Sequence, residues 1–251
     1  WSVVRRGPDA VREALAAAGG RGERLVIVDA ISNDDLLTIA EACKDARFLT
    51  GGSGIALGLP RNFIKDGLAK GGAPAIDAIE GPEAVLVGSC SRATLGQIER
   101  HSVNHPVLNI DVGQVMAGTL TSDDLVAFIK ANAGKAPLVY SSSKPEQVAS
   151  LQERYGREAV AHKLDSLFAK AAKTLFDSGV RRIVVGGGET SGAVVSALGV
   201  TSFRIGPEID PGVPVLVTED GTRLGMALKS GNFGAVDFFE KALGAISAKA
   251  A

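Results

Sequence analysis

Short β-rich runs alternate with helix-period stretches along most of the chain, and this alternation limits the fold more than any other feature. The runs are Leu25-Val26-Ile27-Val28, Ala84-Val85-Leu86-Val87, Val107-Leu108-Asn109-Ile110, Pro137-Leu138-Val139-Tyr140 and Arg182-Ile183-Val184-Val185. Helix-period stretches occupy 8–18, 34–44, 93–101, 122–131, 145–155, 158–178 and 190–198. The pattern predicts βαβ units and an α/β fold: a parallel sheet with helices on both faces. Asn33, Ser122 and Ser143 read as helix N-caps, with Pro145 suited to a first turn. From about Thr201 strands follow at short spacing (203–205, 213–218, 226–228), and a last helix is expected near 236–243. The stretch 57–81 is rich in Gly and Pro and reads as a connection, so a boundary is placed near residue 80. Residues 81–251 then form a complete α/β unit. Residues 1–80 form a partial one, with about two strands and two helices. The chain opens on Trp1, and Ser2-Val3-Val4 reads as a strand entered mid-stride. That opening is expected of a processed chain, or of one whose preceding part is missing.

Composition narrows the class. The chain has 251 residues, 45% hydrophobic and 22% charged, with a net charge of −1. Those values fit an ordered globular protein and argue against a nucleic-acid arm or a polybasic membrane patch. No apolar run approaches the roughly 18 residues of a membrane span. Two cysteines, Cys43 and Cys90, make neither a disulfide framework nor a zinc spacing. The expectation is a cytoplasmic protein. Glycine, at 31 residues, points to many tight turns or close approaches of backbone to ligand.

The chemistry is expected at four glycine loops that follow strands. In Val184-Val185-Gly186-Gly187-Gly188-Glu189-Thr190-Ser191-Gly192 a buried strand meets three glycines and a helix starts. Helix-terminal amides and the hydroxyls of Thr190 and Ser191 would hold an anion there. The spacing is neither a Walker A loop nor G-x-G-x-x-G, and the plain alternative is a tight capped turn. Gly88-Ser89-Cys90-Ser91-Arg92-Ala93-Thr94 opens a second helix. A nucleophilic Cys90 would need His101 or His105, about 15 Å along the helix by rise per residue, so a buried small residue is the better reading. Lys229-Ser230-Gly231-Asn232-Phe233-Gly234 offers a cation and a close approach, or simply a solvated lysine in a helix-entry loop. Thr50-Gly51-Gly52-Ser53-Gly54 could hold a hydroxylated, carboxylated small molecule. Glu208 and Asp210, in the turn-rich 205–212 segment, read as surface carboxylates, and His162 as a structural histidine. Loops of this kind at strand ends suit a crevice above a parallel sheet.

Three elements in one order, Gly88–Ser91, Gly187–Gly192 and Lys229–Gly234, resemble the four-carbon acid sugar kinase family. The Thr50–Gly54 loop and Val28-Asp29-Ala30 resemble the end of that family's substrate domain. The wording of the motifs is most similar to the branch that uses ATP to phosphorylate the 4-hydroxyl of 3-oxo-tetronates, with threonate and erythronate kinases as near relatives. The resemblance implies a nucleotide-binding domain at 81–251 preceded by the C-terminal remnant of a substrate domain at 1–80. It implies ATP contacts at Ser89, Ser91, Gly187, Gly188, Glu189, Thr190, Ser191 and Gly231, with Mg2+ accompanying the ATP. The acid sugar would lie toward Gly51, Gly52, Ser53 and Gly54, at a domain cleft. The family's opening Asp-Asp-x-Thr-Gly-Ala motif does not occur here. Asp34-Asp35 and Asp123-Asp124 look like helix first turns. The catalytic base is therefore expected in an absent N-terminal region, and no protein ligand to a metal is assigned. Partners are expected to be small molecules, not nucleic acid or membrane, and homo-oligomer formation is left open. Two other readings stay open: an NAD(P)-dependent oxidoreductase, with Glu208 as its ribose ligand, and a non-catalytic binding module.

Overall fold

The computed structural model describes residues 1–72, 76–141, 153–219 and 221–248. They fall into two compact units, Trp1–Gly72 and Ala73–Ala251. The expected helix at 145–155 and its Ser143 cap lie mostly outside the described residues.

The first unit is helical. It holds a 3-10 turn Val4–Arg6, α1 (Pro8–Gly20), α2 (Asn33–Ala42), a second 3-10 turn Ser53–Leu57 and α3 (Leu59–Lys65). Val4, Val11, Ile39, Ala42 and Cys43 form its small core. The strands expected at Leu25–Val28, before Leu49 and at Ser2–Val4 do not form among the described residues. Leu25 and Ile27 are instead 89% and 92% exposed, and no strand among the described residues pairs with this run. The α2 cap is Ser32, not Asn33: its side chain and that of Asp35 close a reciprocal capping box. α3 starts inside the stretch read as a connection. Pro60 stands in its first turn, where a missing N–H has no consequence.

The second unit is built on a seven-stranded sheet of order β2-β3-β1-β4-β7-β6-β5. Its strands are β1 (Glu83–Val87), β2 (Val107–Asn109), β3 (Leu138–Tyr140), β4 (Arg182–Gly186), β5 (Phe203–Asp210), β6 (Val213–Thr218) and β7 (Gly225–Lys229). β2, β3, β1, β4 and β7 run parallel, while β6 pairs antiparallel with both β7 and β5. The sheet is therefore mixed rather than wholly parallel. Short connections between β5, β6 and β7 allow only antiparallel neighbours, because a parallel return needs a crossover. The segment 205–212, read as a loop, is mostly the edge strand β5, which carries irregularities between Ile205 and Asp210.

The helices are α4 (Arg92–Ser102), α5 (Val112–Ala117), α6 (Ser122–Ala131), α7 (Arg157–Asp177), α8 (Gly188–Leu198) and α9 (Phe238–Ser247). Thr121, not Ser122, begins α6 through a capping box with Asp124. α5 was not visible in the periodicity; Asp111 caps it and left-handed Gly118 ends it. One core joins Leu86, Val139, Ile183 and Val185 to Phe168, Ala171 and Leu175 of α7. A second, on the other face, joins Val85, Val87 and Val184 to Phe238, Phe239 and Leu243 of α9. Burial on both faces explains why β1 and β4 read as continuous apolar runs. Ile76 and Ile79 belong to the second core as well.

Candidate functional site

Three motifs meet where β1, β4 and β7 end side by side. The Gly88 and Ser89 amides donate to the Gly186 carbonyl at 2.9 and 3.1 Å, and the Gly187 amide donates to the Lys229 carbonyl at 2.8 Å. The strand pairing sets this meeting, since Val87 stands opposite Gly186 and Gly186 opposite Lys229.

Gly187 caps α8 at φ +129°, a backbone region that favours glycine. The first-turn amides of α8 have no intrahelical acceptors, as at every helix start. Gly188 and Glu189 are exposed at that end. The Ser191 hydroxyl turns back, donating to the Gly187 carbonyl at 2.7 Å. The Thr190 hydroxyl donates to Asp165 of α7 at 3.2 Å. Burial raises the Asp165 carboxyl above its usual range; the Thr190 bond opposes this and Glu189 adds to it.

On the other side, Ser91 caps α4 by accepting the Thr94 amide at 3.2 Å. Its hydroxyl donates to the Gly231 carbonyl. Ser89 is half-buried and accepts the Ser91 amide at 3.3 Å. A Cβ on Gly231 would stand 2.6 Å from Ser89 Oγ and 3.1 Å from Ser91 Cβ, so any other residue there would have to push these serines aside. Lys229 is only 1% exposed, not solvated. Its Nζ donates to Thr94 Oγ1 at 2.9 Å and to the Gly231 carbonyl at 3.1 Å. Burial alone lowers its ammonium to about 8. Gln97 Nε2 donates to the carbonyls of Phe233, Gly234 and Ala235 at 2.9–3.1 Å, which fixes the rest of the loop.

A cavity of about 450 Å³ opens beside this cradle, with Gly88, Cys90, Ser141, Asp165, Glu189 and Thr190 among its lining residues. Cys90 is exposed there, not buried. Ser141 Oγ is buried without a hydrogen-bond partner among the described residues, the state expected of a group that meets a ligand or water. Ser141 and Asp165 lie outside every motif, and Thr94, the last residue of the Gly88–Thr94 motif, was assigned no role there.

In the first unit, Gly51, Gly52 and Gly54 line a separate cavity of about 500 Å³ with Arg24, Thr50 and Leu36. Ser53 opens the adjoining 3-10 turn. Glu208 accepts the Gly212 amide at 2.7 Å, and Asp210 is buried, accepting the Ala235 amide at 2.7 Å and lying 3.3 Å from Lys241 Nζ. Asp210 is thus a structural group rather than a surface carboxylate. His162 is exposed on α7.

Comparison with known proteins matches two family models. One, a nucleotide-binding C-terminal domain, covers residues 84–239; the other, a sugar-binding N-terminal domain, covers 1–59. A 3-oxo-tetronate kinase of Cupriavidus necator is 47% identical over 97% of this chain and 57% of its own length. One from Burkholderia multivorans is 43% identical over 100% of this chain and 59% of its own. The chain thus spans a little under three-fifths of these curated relatives. Among solved structures, a Haemophilus influenzae protein aligns with TM-score 0.73 and 36% identity, over 98% of this chain and 59% of that one. A Salmonella typhimurium LT2 protein aligns with TM-score 0.78 and 33% identity, over 96% and 57%. With its ordered motifs inside the nucleotide-binding match, the chain belongs to the four-carbon acid sugar kinase family.

Proposed function

We propose that this chain is the ATP-holding part of a cytoplasmic carbohydrate kinase, which phosphorylates the 4-hydroxyl of 3-oxo-tetronate to give 3-oxo-tetronate 4-phosphate. The observation that carries the reading is the meeting of Gly88–Ser91, Gly187–Ser191 and Lys229–Gly231 at adjacent strand ends, beside a cavity lined by Glu189 and Thr190. The named kinase relatives supply the substrate class.

Phosphoryl transfer asks a protein mainly to position phosphates and offset their charge. In this reading the α8 amides of Gly188, Glu189 and Thr190 face phosphate oxygens, joined by the Ser89 hydroxyl, while Ser91, whose hydroxyl holds the Gly231 carbonyl, sets that loop beside the nucleotide. Gly231 brings bare backbone against the nucleotide. Ser191, whose hydroxyl holds the Gly187 carbonyl, keeps the turn in shape. Mg2+ bound to ATP supplies further charge neutralisation. The acid sugar is assigned to Gly51, Gly52, Ser53 and Gly54, where Arg24 of the same cavity could meet its carboxylate. No residue of this chain is assigned as the base. An NAD(P)-dependent oxidoreductase is disfavoured because Glu208, its required ribose ligand, is engaged with the Gly212 amide.

The test is calorimetric titration with Mg-ATP of wild type and Gly188→Val. A Cβ at Gly188 meets nothing within 4 Å, so the variant keeps the fold while crowding the phosphate path. Saturable binding that weakens about tenfold or more in the variant, roughly 1.4 kcal/mol, is expected. Equal affinities, or no binding by wild type, overturn the assignment.

A further inference from the structure

The C-terminal end of α4, opposite the end that carries Ser91, holds a second cluster that the nucleotide reading does not use. His101 is 1% exposed, and its Nε2 lies 2.8 Å from the Ala136 carbonyl. His105 Nδ1 lies 3.1 Å from the Lys135 carbonyl. A carbonyl can only accept, so each of these ring nitrogens carries the hydrogen. The remaining nitrogens are His101 Nδ1 and His105 Nε2. With its hydrogen on Nε2, facing the Ala136 carbonyl, the His101 ring has Nδ1 left as the atom that can accept a bond.

Glu240 of α9 completes the group. Its Oε2 faces Arg100 at 3.7 Å, and its Oε1 lies 3.5 Å from His105 Nε2. Among the described residues, His101 Nδ1 and Glu240 Oε1 are buried with no hydrogen-bond partner. The three side chains can place one ligand atom each within 4.8 Å of one another. Buried polar atoms without partners are uncommon and call for an explanation. An ion pair between a protonated His105 and Glu240 would still leave His101 Nδ1 unsatisfied. A cation would satisfy all three atoms.

We propose that His101 Nδ1, His105 Nε2 and Glu240 Oε1 form a binding site for a divalent transition cation of the zinc class, with a fourth position open to water. Two imidazole nitrogens and one carboxylate oxygen suit zinc rather than magnesium or calcium, which prefer all-oxygen shells. The histidines stand four residues apart on one helical turn, closed by the His105 amide on the His101 carbonyl at 3.1 Å. Backbone carbonyls fix both tautomers, the outer-shell arrangement that orients metal-binding histidines. Ligand bonds of about 2.0–2.1 Å set tetrahedral ligands roughly 3.4 Å apart, so the side chains need only draw together. The stacked rings, 4.4 Å between centroids, must turn slightly to aim both lone pairs at one point. His105 and Glu240 are partly exposed and provide the way in. The bound cation would tie α4 to α9.

The experiment uses the 251-residue chain cleared of metal by a chelator. Zn2+ is titrated calorimetrically without nucleotide, and Co2+ is added separately as a spectroscopic probe. Wild type is expected to bind one equivalent of Zn2+ and to give visible d–d bands with Co2+. His105→Ala and Glu240→Gln, checked as folded by circular dichroism, are each expected to weaken Zn2+ at least tenfold and to remove the bands. Absence of saturable binding, or affinities in both variants within threefold of wild type, would overturn the proposal.

Discussion

The Thr94 hydroxyl of α4 donates to the carbonyl of Gly231 at 2.8 Å, joining residues 137 positions apart in the chain. The same carbonyl also receives Ser91 and Lys229. The first turn of α4 and the loop after β7 are thereby one unit, and that unit forms one wall of the proposed nucleotide cradle.

Thr94→Val keeps the shape of a fully buried side chain and removes its hydroxyl. Lys229 Nζ then loses its 2.9 Å partner. The ammonium keeps the Ser230 and Gly231 carbonyls, and the loss of one hydrogen bond to a charged group costs about 1.5–3 kcal/mol. Denaturant unfolding should show a loss in this range, and Mg-ATP titration should show weaker binding as the Gly231 loop loosens. Unchanged stability would mean that water replaces the hydroxyl.

Gly88→Ala should act differently from Gly188→Ala. A Cβ at Gly88 would lie 2.2 Å from Thr190 Oγ1, whereas one at Gly188 meets open space. The first variant must displace Thr190 from Asp165, and a loss of about tenfold in ATP affinity, roughly 1.4 kcal/mol, is expected. The second should unfold like wild type. Equal stability and ATP affinity in the two alanine variants would count against the packing described.

The buried ammonium of Lys229 gives a pH signature. Its value falls from 10.5 to about 8 on folding. Between those values the unfolded chain binds more protons than the folded one, so this residue makes stability rise with pH across that window. Below about 8 both states are charged and the penalty is constant. Unfolding curves for wild type and Lys229→Met from pH 7 to 10.5 should therefore diverge, with wild type gaining relative to the variant above pH 8. Parallel curves would sink the claim.

Glu83 and Arg182 pair at 2.6 Å, with side chains 4% and 19% exposed. Glu83 also accepts the Ala136 amide at 2.9 Å. Arg182→Met leaves a buried carboxylate without its cation, and a loss of about 3 kcal/mol is expected. Glu83→Gln, which can keep the Ala136 bond, should lose less. Thermal and denaturant unfolding of the two variants checks the order.

Much of the second unit was legible because a strand buried on both faces leaves an unbroken apolar run, as Ala84–Val87 and Ile183–Val185 do. The same signal at Leu25–Val28 misled. A run of β-branched residues records what a segment could bury, not whether a neighbouring strand is there to bury it, and here Ile27 is exposed. Two of the expected caps were located to within one residue, since Ser32 and Asn33, or Thr121 and Ser122, compete for one role. Reciprocal bonding from Asp35 and Asp124 decides between them. The glycine loops of the second unit were visible, but their company was not. Lys229 looked like a surface lysine because nothing local announces that Thr94 and the Gly231 carbonyl will surround its ammonium. Asp165 and Ser141 reach the cavity only through tertiary packing, which one sequence does not display.

β5 is the outermost strand of the sheet, and its register slips between Ile205 and Glu208 and again before Asp210. Pro207, which lacks an N–H, sits within that interrupted stretch. An open strand edge is a template on which foreign strands can polymerise. Here the template is broken in the middle and flanked by Arg204 and Glu208, both exposed. The Gly-Pro pair that resembles a loop in the sequence thus acts as a terminator of lateral growth, protecting a sheet whose parallel strands must be assembled from distant parts of the chain.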